Sequence, residues 1–241
     1  MGQFDWLAGA METETFTAFD TETTGLDPRQ CRVVEIGGIR FDRLGAGARF
    51  NALIDPSTPM PAEASRINGI TDEMLRGKPT ARDVLPDFLS FSEGTILVAH
   101  NAPFDVSFVN EELARLGKAG LAHRVVDTRI LAREVFPGLP KYALQDLAAR
   151  FGIEAKDAHR AEDDARVCME LFLLCVERIR ERVAPLTPVR PVTPAPNATH
   201  AAAPFGRAGA TPAAAPRSTA DLRADDDEPD LFADDGEEAI D

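Results

Sequence analysis

The sequence predicts an α/β domain, a mixed sheet flanked by helices, followed by an extended segment and an acidic tail. Three observations predict it. Three strand-like runs lie within the first 54 residues. After them, short apolar runs alternate with amphipathic helical stretches, the pattern of strands joined through helices. Beyond residue 183 the composition changes: residues 184–220 hold 8 Pro and 12 Ala among 37 residues, with three Arg and no acid.

The elements follow in order. Thr15–Asp20 alternates apolar residues and ends in a polar, Gly-containing turn. Val33–Phe41 and Phe50–Ile54 are two further strand runs, joined through Gly45 and Gly47, and the three fit a meander. Arg82–Phe91 places Val84, Leu85, Phe88 and Leu89 at helical spacing. Thr95–Ala99 has the pattern of a buried strand, and Phe104–Leu116 that of a helix with Phe104, Phe108, Val109, Leu113 and Leu116 on one stripe. Val125–Asp127 is a short strand leading into a helix at Arg129–Phe136. Tyr142–Phe151 is a helix ended by Gly152, and Asp163–Val183 a long helix with Val167, Leu171, Leu174 and Ile179 inward. The domain therefore spans 14–183. Residues 1–13 read as an arm, because Met11 directly precedes the first strand pattern, and the first ten residues are expected to be dispensable for activity.

Charge divides the chain in the same way. The net charge is −14 over 241 residues, of which residues 221–241 carry −10, residues 184–220 carry +3, and the domain −7. The segment 184–220 reads as a partly extended linker and 221–241 as a disordered acidic tail. This balance excludes a polybasic nucleic-acid coat or a membrane-surface binder. No apolar run approaches the ~18 residues of a membrane span. Cys31, Cys168 and Cys175 lack CxxC spacing, and their odd number argues against a disulfide framework. With no basic–apolar leader, the reading is a reducing, cytoplasmic setting.

Three local signals carry chemistry. In Phe19-Asp20-Thr21-Glu22-Thr23-Thr24-Gly25-Leu26, residues i and i+2 of a strand share a face, so Asp20 and Glu22 converge at a strand end. Adjacent carboxylates repel unless a cation neutralises them, and oxygen-only ligands suit Mg²⁺ or Mn²⁺. A bare D-x-E is also what a solvated strand end looks like. His100-Asn101-Ala102-Pro103-Phe104-Asp105 passes from strand to helix, with Pro103 and Asp105 in the first turn. The helix dipole alone would favour an acid there. His159-Arg160-Ala161-Glu162-Asp163-Asp164 opens the last helix. On a continuous helix His159 and Asp164 would diverge by about 140°, so they converge only if His159 lies on the preceding loop. His100 is read as structural or at the substrate edge. Lys141 and Arg160 are read as solvated charge, with phosphate contact as the alternative. Cys168 and Cys175 are read as buried.

In order and spacing, FDTETTGL, HNAPFD and HRAEDDA resemble the three motifs of the DEDDh 3′–5′ exonucleases over about residues 14–180. Length and layout are most similar to the epsilon-type proofreading subunits of bacterial replicative DNA polymerase within that family. The resemblance implies a ribonuclease-H-like fold: a five-stranded mixed sheet with its first three strands antiparallel. It implies that Asp20, Glu22, Asp105 and Asp164 hold two divalent cations, Mg²⁺ or Mn²⁺, with Asp20 between them. His159 would take the proton from the attacking water, and nucleoside 5′-monophosphates would be released. Asp20, Glu22 and Asp164 would also face the substrate. Thr23, Thr24 and Gly25 would offer backbone N–H groups to the terminal nucleotide, and Leu26 an apolar wedge. The segment Glu63 to Thr71 resembles one that precedes a G-I-T element in the family, which puts Glu63 and Asn68 near that nucleotide. The family often has His at the Asn68 position, and Asn68-Gly69 reads equally as a turn.

The implied partners are a single-stranded DNA 3′ end, with RNA as the alternative substrate, and a replicative polymerase catalytic subunit. In the tail, Asp230-Leu231-Phe232 resembles the end of a sliding-clamp-binding peptide, making Leu231 and Phe232 candidate partner contacts. Two other readings compete: a stand-alone nuclease trimming RNA or repair intermediates, and a non-catalytic tethering scaffold. Five intact motif residues argue against the scaffold.

Overall fold

Strand β1 (Phe16–Thr23) is the centre of the assembly. In the computed structural model, which describes residues 2–156 and 158–184, it pairs antiparallel with β2 (Val33–Asp42) and parallel with β4 (Ile96–Ala99). Adding β3 (Gly45–Leu53) and β5 (Val125–Asp127) gives a five-stranded sheet of order β3-β2-β1-β4-β5. The first three strands are antiparallel and the last two run parallel to β1, the ribonuclease-H-like arrangement expected. The carboxyl ends of β1 and β4 therefore lie at one sheet edge. The linker and tail, with Leu231 and Phe232, lie outside the described residues.

The helices cover both faces. On one, Phe16, Ala18, Ile39 and Phe41 pack against Cys168, Phe172 and Cys175 of α8 (Ala161–Val183). The Phe16, Phe41 and Phe172 ring centroids lie 5.1–5.5 Å apart in tilted, edge-on and stacked pairs. On the other face, Phe19, Ile36 and Leu97 meet Leu85 and Phe88 of α4 (Ala81–Ser92) and Phe108, Val109 and Leu113 of α5 (Ala102–Arg115). A strand buried on both faces must read as a near-continuous apolar run, and Phe16–Phe19 do. Helix α4 starts with a reciprocal capping box between Thr80 and Asp83.

Residues 2–13, expected as part of an arm, are packed on the domain. They carry helix α1 (Leu7–Thr13), and Phe4, Leu7 and Met11 are buried in the main core, with α1 against α8. Ion pairs Arg180–Glu12 and Arg182–Asp5 fasten it. Seven residues are too few for a convincing helical period, so the element was invisible in the pattern. Deleting residues 1–10 is now expected to destabilise the domain by at least about 3 kcal/mol, the transfer cost of Phe4 and Leu7 alone. Chemical denaturation of the truncated chain measures it.

Two short helices were also unforeseen: α2 (Ala62–Asn68) and α3 (Asp72–Leu75). Asn68 closes α2, and Gly69, at φ 68°, is its left-handed cap, so the Asn-Gly pair is a helix end as well as a turn. Helices α6 (Thr128–Val135) and α7 (Leu144–Phe151) complete the layer around α8. Tyr142 stands outside α7, and its hydroxyl donates to the Phe136 carbonyl. The three cysteines are free, with Cys168 and Cys175 buried. Among the described residues no helix is long and apolar enough to cross a membrane.

His100 is structural. Its ring is 2.9 Å from the Thr128 hydroxyl through Nδ1 and 2.8 Å from the Tyr142 carbonyl oxygen through Nε2. Burial lowers its pKa to about 4. The unfolded chain, with a pKa near 6.5, therefore binds the extra proton first as pH falls. Stability from this group is complete above about pH 6.5 and is lost as pH falls towards about 4, by roughly 3 kcal/mol. Relative to wild type, His100→Gln should lose this acid dependence, as read from denaturation midpoints at pH 7 and pH 4.5.

Candidate active site

β1 extends past the expected Asp20 to Thr23, so both acids of the D-x-E are strand residues. Asp20 and Glu22 point to the face that α8 covers, and the buried Thr21 points to the other. Helix α8 begins over that first face, with Asp164 in its opening turn. One carboxylate oxygen from each of Asp20, Glu22 and Asp164 lies within 4.8 Å of the others. Asp105 reaches the same strand end from the opposite layer, in the first turn of α5. Its Oδ1 accepts the Thr21 N–H at 2.9 Å and the Thr21 hydroxyl at 2.8 Å. Asp105 is thus pinned to β1, while the close cluster consists of the other three.

The electrostatics are one-sided. Asp20 is raised well above the carboxylate range, first by burial and then by the charges of Asp105, Asp164, Glu22 and Glu35. Glu22 is raised by burial and then by Asp164 and Glu35, against a hydrogen bond from Asn68 that lowers it. Burial also raises Asp105, opposed by both Thr21 bonds, and Asp164, opposed by His159 and Gln145. Four acids held this close resist joint ionisation, and a divalent cation supplies the missing charge. The all-oxygen donors Asp20, Glu22 and Asp164 fit a hard cation.

His159 lies on the loop before α8, as the angular argument required. It is exposed, at φ 63°, and its backbone N–H donates to Asp164 Oδ2 at 3.1 Å. The other Asp164 oxygen accepts the Gln145 amide at 2.8 Å. Thr23 and Thr24 are buried: the Thr23 hydroxyl donates to the Gly25 carbonyl at 2.6 Å, and Thr24 Oγ1 accepts the Arg32 N–H at 2.9 Å. Leu26, 55% exposed, stands at the tip of this loop, and Glu63 is exposed on α2. Asn68 is buried and donates to the Thr23 carbonyl at 3.3 Å, so it braces the end of the motif strand.

Sequence reading missed four supporting residues. Thr21 and Gln145 hold Asp105 and Asp164. Glu35 and Arg160 form a bidentate pair, at 2.8 and 3.0 Å, beside the cluster. Thr21 was legible as the middle residue of D-x-E; Gln145 and Glu35 carry no local signal, and Arg160, read as solvated charge, is instead paired with the buried Glu35.

The sequence matches the Exonuclease family over residues 17–172, nearly the whole folded region. The chain belongs to the exonuclease family. This exonuclease is 54% identical over 171 residues to the DNA polymerase III subunit epsilon of Treponema pallidum, covering 70% of this chain and 80% of that protein. It is 35% identical to the PolC-type DNA polymerase III of Clostridium perfringens, covering 70% of this chain but 12% of that much longer protein. Among solved structures it superposes on exonuclease X in complex with 5′-overhanging duplex DNA, with a TM-score of 0.56 and 26% identity over 70% of this chain and 92% of that one. The exonuclease acts in the 3′–5′ direction, as a DEDDh-type enzyme of ribonuclease-H-like fold.

Proposed function

We propose that the protein removes nucleotides from single-stranded DNA 3′ ends as the proofreading subunit of a replicative polymerase. The observation that carries this is the convergence of Asp20, Glu22 and Asp164, with Asp105 pinned to the same strand end. The epsilon-subunit relative, covered over 80% of its length, supports the replicative role and a polymerase catalytic subunit as partner. The cytoplasm is the corresponding setting.

Asp20, Glu22, Asp105 and Asp164 would hold two divalent cations, Mg²⁺ or Mn²⁺, with Asp20 shared. When bound, such ions activate water and stabilise the leaving 3′-oxyanion in an in-line displacement. The protein's own groups do the rest. His159 takes a proton from the attacking water, and its exposure gives it access to solvent for passing the proton on. The Asp164–Gln145 and Asp105–Thr21 bonds fix carboxylate orientation before substrate arrives. Leu26 packs against the terminal base and Glu63 approaches its sugar, while the Thr24 N–H already donates to the Arg32 carbonyl at 2.9 Å and so is not the donor expected to the nucleotide. Asn68 acts through Thr23 and Glu22. A nucleoside 5′-monophosphate leaves.

The test uses matched 5′-labelled single-stranded DNA and RNA with Mg²⁺ or Mn²⁺. Stepwise shortening of DNA, abolished by EDTA, is the expected result. No shortening with either metal would reject catalysis, and a preference for RNA would move the protein to a trimming role. Co-purification with a polymerase catalytic subunit tests the proofreading assignment. Clamp docking through Leu231 and Phe232 predicts binding of a tail peptide to purified clamp that is lost when both become Ala.

A further inference from the structure

The geometry points to the Glu35–Arg160 ion pair as the positioning device that sets His159 and Asp164 over the carboxylates of β1. The inference rests on the proposed roles of those two residues. Helix α8 begins without a local cap: Arg160 occupies the cap position and makes no side-chain cap bond. The free N–H groups of a helix start need acceptors, and Ser, Thr, Asp or Asn normally provides one. Here the acceptor comes from the sheet. Glu35 Oε2 accepts the Ala161 N–H at 3.2 Å. The same carboxylate takes Arg160 in a two-pronged bond, Nε to Oε2 at 3.0 Å and Nη2 to Oε1 at 2.8 Å.

Glu35 is fully buried on β2, directly opposite Glu22 of β1. One side chain therefore fastens the residue after His159, and the first N–H of the helix carrying Asp164, to the neighbour of the D-x-E strand. Charged, bidentate bonds fix direction as well as distance. His159 itself sits at φ 63°, a conformation costly for a side-chain-bearing residue and kept only where the surroundings impose it. Its flanking residue is the one held by Glu35.

Arg160 is 37% exposed at its side chain, and a direct contact to substrate phosphate is the rival role. The two separate cleanly. Arg160→Gln alone strands the buried Glu35 charge and is liable to unfold, so the informative variants are Glu35→Gln and the double variant Glu35→Gln/Arg160→Gln. In the full-length protein, positioning predicts a kcat lower by about 10- to 100-fold in both variants, with KM within twofold. It also predicts faster amide hydrogen exchange at residues 159–164 without metal, while β1 and β4 stay protected. The exchange readout is independent of whether the enzyme turns over. Exchange unchanged at 159–164 overturns the inference. So does a wild-type kcat in Glu35→Gln with KM raised only in the double variant, the signature of an Arg160–phosphate contact. Inactivity of the wild-type enzyme would instead sink the catalytic reading and leave the exchange result standing.

Discussion

Asp20→Asn is expected to lower the exonuclease rate by at least about a thousandfold, the upper range for removal of one electrostatic stabiliser. In metal-free buffer the same protein should melt at or above the wild-type temperature. Both effects have one origin. Burial and four neighbouring acids raise the Asp20 carboxyl far above its ordinary range, so its charge is a burden on the metal-free fold. An amide of the same shape removes that burden and with it the ligand proposed to be shared by two cations. Stability given up for a site is the usual trade at functional positions. Mg²⁺ should accordingly raise the melting temperature of wild type more than that of the variant, since binding to the folded state alone stabilises it. Paired melts with and without Mg²⁺, beside rates on labelled single strands, read all of this. A variant that keeps the wild-type rate would remove Asp20 from the mechanism.

Gly37→Ala is the second large effect. Gly37 lies opposite Asp20 in the β1–β2 ladder, under the start of α8. A methyl group there would stand 2.3 Å from the Ala161 carbonyl carbon and the Glu162 nitrogen. Both are backbone atoms and cannot swing aside. The helix start must lift, at a cost of about 2 kcal/mol or more, the range for forcing atoms into a packed interior. Lifting it by about an ångström also moves Asp164 from Asp20, and such a misplacement costs on the order of 100-fold in rate. Gly9 provides the control: it is in α1, and an added methyl meets nothing within 4 Å. Gly9→Ala should be neutral or stabilise by up to about 1 kcal/mol. Denaturation curves and single-strand rates for the two variants decide the matter, and equal behaviour would refute the crossing argument.

These cases also mark what the sequence disclosed. The sheet and the long helices were legible because burial on one or both faces imposes its period on the residues, as in Phe16–Phe19 and the α8 stripe. The D-x-E and the H-x4-D were legible because both partners lie within one element or across one loop. Asp105 was placed correctly at the sheet edge, but its hold on Thr21 depends on two elements meeting across the sheet. Gln145, Glu35 and Gly37 act only through chain segments far away in sequence, and no local pattern encodes that. Helix α1 was missed for the opposite reason: its partners are many, but its own length is too short to show a period.

The acids of this site arrive from both layers of the sheet, Asp105 through one core and Asp164 through the other. The order of synthesis gives that division a consequence. A nascent chain that has released β1, β4 and α5 still lacks the helix that delivers Asp164 and places His159. Until α8 docks, the chain has only part of a hydrolytic centre. If those residues act as proposed, nuclease activity becomes available only as α8, the last helix among the described residues, closes over β1.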